Sequence, residues 1–174
     1  MMRAILIAFC TAACASAPQQ APDAPRIVLA SEPATVDYAD GVALALTPPS
    51  RADYAQLRLV ERPGYRTPLH VHHHTDETFL VVEGELTVFI NGATRTLRAG
   101  DYAFIPRGTP HAQGNATQAD TIVVLTMAPG AFAGFFDARA ELVQTAPPGH
   151  ADYVPGMMAL GERFDIEVLG PSPF

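Results

Sequence analysis

Between residues 36 and 127, apolar side chains recur in short alternating runs and never at sustained helical spacing. β-branched and aromatic residues are interrupted every eight to twelve positions by Gly, Pro, Asn or Asp, the texture of an all-β sandwich or barrel. The pattern predicts strands over 42–46, 54–61, 68–72, 77–83, 85–91, 93–98, 102–106 and 121–127. Asn91-Gly92 joins two of them as a two-residue hairpin loop, because both residues accept positive φ at little cost. Gly84 and Gly100-Asp101 mark further tight turns. After Met127 the period changes. Pro129-Gly130 breaks the strand, and 131–142 carries Phe132, Phe135, Phe136 and Ala140 at helical spacing, a stripe suited to a lid on the core. A loop at Pro147-Pro148-Gly149, a short helix over 155–163 and a last strand over 166–169 complete the reading. The expectation is one all-β domain over 36–128, with a helical and strand extension over 129–174 packed on it.

The amino terminus has a different character. Residues 1–3 supply a short basic start and 4–13 an apolar stretch too short for a bilayer, as in a secretory signal peptide over 1–13. Thr11-Ala12-Ala13-Cys14 resembles a bacterial lipobox, which implies cleavage before Cys14 and a lipid anchor on its thiol. The competing cut, after Ala15-Ser16-Ala17, would leave Pro18 as the first residue. Residues 14–35, rich in Ala, Pro and Gln at their start, read as a flexible tether. The expected location is the cell envelope, in the periplasm, on the outer membrane, with the membrane engaged only through the lipid.

Composition removes several chemistries. All 11 basic residues are Arg, so neither a Schiff-base nor a P-loop lysine is available. Both cysteines, Cys10 and Cys14, precede residue 15, so the domain has no thiol for nucleophilic or soft-metal chemistry. A net charge of -7 argues against nucleic acid as a partner. What remains is histidine: His70, His72, His73 and His74 crowd together, and His111 and His150 stand apart.

His70 and His72 are two apart on an expected strand, so both leave the same face while Val71 points away. Glu77 opens the next strand, and Phe79 and Val81 share its face. The turn Pro106-Arg107-Gly108 can bring His111 opposite them. Three imidazoles and one carboxylate suit a single divalent transition metal (Fe, Mn, Co, Ni, Cu or Zn) with positions left open. His73 and His74 read as turn residues or as supports behind the ligands, Arg107 as a solvated loop arginine, with contact to an anionic ligand the alternative, and His150 as a loop residue.

The spacing of these residues is the basis of a family resemblance. Gly64 is followed after five residues by His70-Val71-His72, after four more by Glu77 and after six by Gly84. Fifteen residues on, Gly100 leads after five residues to Pro106-Arg107-Gly108, then after two to His111 and after three to Asn115. This resembles the two motifs of the cupin superfamily. Pro68-Leu69-His70-Val71-His72 and Val82-Glu83-Gly84-Glu85-Leu86, with the tail over 164–171, are similar to its quercetin 2,3-dioxygenase-like branch. The resemblance implies a cupin β-barrel, a double-stranded β-helix or jelly roll, with His70, His72, Glu77 and His111 on the metal. It also implies a homodimer, for which 36–46 is a pairing segment.

Fold alone does not give the reaction. The leading expectation is a metal-dependent dioxygenase for a small hydroxylated aromatic or enol, in which Glu77 either ligates the metal or removes the substrate proton. Phe79, Val81, Phe89, Phe104 and Met127 are expected to wall the pocket. A noncatalytic metal-dependent binder of a small ligand, and a sugar or keto-acid isomerase, are the alternatives.

Overall fold

The computed structural model describes residues 25–48 and 53–174; the expected signal peptide, Cys14 and the first part of the expected tether lie outside them. The chain forms β1 (Val36–Asp37), β2 (Gly41–Ala45), β3 (Ala55–Glu61), β4 (Leu69–Val71), β5 (Asp76–Glu83), β6 (Glu85–Ile90), β7 (Ala93–Arg98), β8 (Tyr102–Ile105), β9 (His111–Gly114) and β10 (Thr121–Ala128). A 3-10 turn (Gly130–Ala133), α1 (Gly134–Thr145), α2 (Tyr153–Arg163) and β11 (Glu167–Gly170) follow.

The strands make a six-stranded sheet, β1-β2-β3-β10-β5-β8, facing a five-stranded sheet, β11-β4-β9-β6-β7. Period-two alternation decides what fills the space between them. Leu57 and Leu59 on β3, Phe79 and Val81 on β5, Val123, Leu125 and Met127 on β10, and Leu86 and Val88 on β6 are all buried in one core. Residues of β10 lie opposite β3 and β5 at once, so Met127 faces Ala55 on one side and Glu77 on the other. The Asn91-Gly92 loop has φ of 51° and 78°, the paired positive values that a two-residue hairpin requires.

Each expected strand is present within one or two residues of its expected ends. The closed barrel is corrected: among the described residues the two sheets share no strand pairing, and the jelly roll closes by side-chain packing instead. Edge strands β1 and β11, of two and four residues, are too short to bridge from one sheet to the other. Strand β9 was not anticipated; all four of its residues are buried, so it shows no alternation. The aromatic stripe does form the lid, but its first turn is 3-10 and the α-helix begins at Gly134. Phe132, Phe135 and Phe136 are all buried in the core.

Two of the expected pocket walls are also corrected. On β8 the inward positions are Ala103 and Ile105, and Phe104 is 57% exposed. On β6 the inward positions are Leu86 and Val88, which puts Phe89 on the opposite face, half-buried. In both strands an aromatic residue suggested the inner face, whereas the register with neighbouring strands assigns it to the outer one.

Candidate metal centre

Four buried side chains meet between the sheets: His70, His72, Glu77 and His111, whose candidate ligand atoms all lie within 4.8 Å of one another. Strand β4 supplies His70, and His72 follows directly after its last residue; His70 lies opposite His111 in the β4–β9 pairing, with ring centroids 4.2 Å apart. Glu77 comes across from the facing sheet and its Oε2 lies 2.8 Å from His111 Nε2.

The backbone fixes how each imidazole is presented. His70 Nδ1 donates to Pro68 O, His72 Nδ1 to Asp165 O and His111 Nδ1 to Thr109 O, each at 2.9 Å. With Nδ1 engaged by a carbonyl, Nε2 is the nitrogen turned inward, the tautomer a metal-binding histidine needs. Three oriented Nε2 atoms and one carboxylate in a dry pocket fit a divalent transition metal. Burial pushes the His70 pKa down to about 4, the charge of His111 adding to this and that of Glu77 opposing it. Burial also lowers His72, against the charge of Glu77. His111 is different. Burial works against its charged form, but the hydrogen bond and charge of Glu77 outweigh this and hold its pKa above the usual value. Burial likewise opposes charge on Glu77, yet the His111 hydrogen bond and the surrounding imidazoles keep its pKa below the usual range. In the metal-free protein this is a buried ion pair whose proton a bound metal replaces.

The turn before His111 is tied down on two sides. Arg107 makes a bidentate pair with Asp76, Nε to Oδ1 at 3.0 Å and Nη2 to Oδ2 at 2.7 Å, beside Glu77. Gly108, at φ 79°, donates its N–H to His72 O at 2.7 Å. Arg107 is thus half-exposed, as expected of a loop arginine, and bound to a carboxylate of its own chain.

Phe79, Val81 and Met127 reach the interior as expected. Sequence reasoning missed two further contributors. Phe132 packs edge-on against His72, ring centroids 4.8 Å apart; it stood in the lid stripe, but nothing in the stripe indicated its partner. Asp165 supplies the carbonyl for His72, and its carboxylate accepts from His74 N at 2.7 Å and lies 3.0 Å from His74 Nδ1. His73 Nε2 lies 2.6 Å from Glu167 Oε2. His73 and His74 therefore hold Glu167 of β11 and the preceding Asp165 against the turn that follows His72. Asp165 sits at φ 61°, a conformation Asp and Asn tolerate best among residues with side chains.

This latch gives a specific expectation. Asp165→Ala keeps the carbonyl but removes the carboxylate that anchors it through His74, and should weaken metal binding about tenfold, whereas Asp165→Asn should retain most of it. Competition against a graded chelator measures both.

A two-sheet jelly roll with a buried three-histidine, one-glutamate centre defines a class of metal-binding β proteins. Residues 58–128 match the family model described as Cupin domain, so this segment is cupin-like. It is 43% identical over 60 residues to a quercetin 2,3-dioxygenase of Bacillus subtilis, covering 34% of this chain and 18% of the dioxygenase. It is 33% identical over 106 residues to an oxalate oxidase of Triticum aestivum, covering 56% of this chain and 40% of the oxidase. The matched stretch thus spans less than half the length of either. Among solved structures, a protein with a double-stranded β-helix domain from Klebsiella pneumoniae is similar at TM-score 0.52 and 27% identity, covering 62% of this chain and 92% of that one. A cupin 2 conserved barrel domain protein from Salinispora arenicola matches at TM-score 0.50 and 26% identity, over 67% and 99%.

Proposed function

We propose that this chain is a metal-dependent dioxygenase acting on a small hydroxylated aromatic or enol substrate. The observation that carries the reading is the inward presentation of three imidazole Nε2 atoms beside the Glu77 carboxylate, against the apolar side chains of Phe79 and Met127. His70, His72 and His111 hold the metal, with Glu77 as a fourth ligand or as the base for the substrate hydroxyl. When bound, the metal supplies a Lewis-acid centre with open coordination positions. Phe79 and Met127 exclude water from it, and Phe132 covers His72. Both atoms of dioxygen enter the substrate in such a reaction, so no external reductant is required. The local identity to a quercetin 2,3-dioxygenase supports the same reading. With Cys14 as lipid anchor, the activity belongs in the cell envelope, and 36–46 is the candidate dimer segment.

Oxygen-electrode measurements on protein loaded separately with Fe, Mn, Co, Ni and Cu, each given a flavonol and simple catechols, test the proposal. Uptake with at least one metal is expected, at one dioxygen per substrate consumed. No uptake with any metal sinks it.

A further inference from the structure

A second feature lies one strand away from the metal centre. A cavity of about 300 Å³ opens between the β2–β3 edge of the larger sheet and the lid. Its sheet wall is built largely of small residues, Ala43 and Ala45 on β2 and Ala55 on β3, with Val36 on β1 and Gln56 and Leu57 on β3 the larger ones. Its other wall is the 3-10 turn, through Gly130, Ala131 and Ala133, and the ring of Phe136. Alanines along an inner face where neighbouring strands carry Leu, Val and Phe leave a space that the core does not fill. Thr35 and Asp137, both exposed, mark where it meets solvent.

The cavity and the metal centre share two partitions. The turn that lines the cavity with Ala131 and Ala133 places Phe132, between them, on the ring of His72. Met127 lies opposite Ala55, a cavity residue, and opposite Glu77, a residue of the centre. Two strand spacings, about 10 Å, therefore separate the cavity wall from the carboxylate. The partition is a methionine, the most readily rearranged of core side chains.

Size and charge restrict what fits. An apolar cavity of roughly 150 Å³ admits benzene, so twice that volume takes one substituted ring or two fused rings. Among the described residues that line it, the only charged group is the Asp137 carboxylate and none is an arginine. An anion would enter against Asp137 with no counter-charge from any of these lining residues. A hydroxyl donor finds an acceptor there.

We propose that this alanine-lined cavity binds the ring of a neutral hydroxylated aromatic of one or two rings, beside the metal centre, and rejects carboxylates and phosphates. This rests on the dioxygenase reading for what happens to the ligand, not for where its ring lies.

The test is calorimetric titration of the full chain, as purified and under anaerobic conditions, with p-cresol, 2-naphthol and 4-hydroxybenzoate. The two neutral phenols should bind, and 4-hydroxybenzoate at least tenfold more weakly than p-cresol. Ala45→Leu, which fills the cavity from the sheet, and Ala133→Leu, which fills it from the lid, should each weaken 2-naphthol at least tenfold with metal content unchanged by elemental analysis. The two variants approach from different elements, so either one suffices if the other does not fold. Absence of phenol binding, binding unaffected by a folded filling variant, or 4-hydroxybenzoate bound as tightly as p-cresol would overturn the proposal. Phenol binding that the filling variants abolish, in a protein that consumes no dioxygen with any metal, would refute the dioxygenase reading and leave the cavity site standing. Oxygen uptake with no effect of cavity filling would do the reverse.

Discussion

His111→Ala is expected to remove most of the bound metal and also to destabilise the metal-free domain by roughly 3–5 kcal/mol, the cost of leaving a buried charge without its partner. Glu77 is only 3% exposed, and in the metal-free chain His111 Nε2 at 2.8 Å is its hydrogen-bonding partner. His70→Ala is the contrast: it removes a ligand but leaves the Glu77–His111 pair, so metal is lost with a smaller fall in stability. The pH dependence follows from the two shifts. The depressed Glu77 contributes stability above its unfolded pKa, and this is lost as pH falls through the folded value. The raised His111 contributes stability below its unfolded pKa, and this is lost as pH rises through its folded value. The penalty in His111→Ala should therefore peak between those two pKa values and shrink on either side. Denaturant unfolding of chelator-treated protein across pH, with elemental analysis of the untreated protein, checks both parts. Retained metal in a folded His111→Ala protein would show that the centre is wrongly assigned.

Glu61→Gln is expected to make the protein more stable at pH 8 while changing little at pH 5. Glu61 is fully buried at the end of β3, and neither carboxylate oxygen has a hydrogen-bond partner among the described residues. Burial pushes its pKa up to about 8 from an ordinary 4.5, and the Glu77 charge adds to the shift. A carboxyl with a raised folded pKa binds its proton more tightly when folded. Between about pH 4.5 and pH 8 the folded state therefore holds more protons than the unfolded one, and stability falls as pH rises through that window. Each pH unit is worth about 1.36 kcal/mol at most, so the wild type should lose on the order of 3–4 kcal/mol from pH 5 to pH 8 relative to Glu61→Gln. Parallel urea unfolding curves at the two pH values measure it. Identical slopes against pH in the two proteins would mean that Glu61 ionises as freely as in water.

The metal set was legible because its signal is local. His70, His72 and Glu77 lie within eight residues, and strand alternation alone puts the two histidines on one face. The strands were legible for the same reason, since alternation and turn residues are short-range properties. What escaped depends on register between distant segments. Phe104 and Phe89 are large and apolar, but their phase is set by pairing with β5 and β9, which places them outward. Strand β9 is buried on both faces and holds no β-branched or aromatic residue besides His111, so His111 to Gly114 carries no strand signature to read. The cavity could not be seen either, because Ala43, Ala45 and Ala55 look like ordinary small strand residues until the lid is placed over them.

The carbonyl that orients His72 comes from Asp165, 93 residues later in the chain. During synthesis His70 and His72 leave the ribosome first, then His111, and the group that fixes the tautomer of His72 emerges nearly last. A nascent chain thus offers passing metal ions only an unoriented set of imidazoles, and the oriented centre exists only after the last strand has docked.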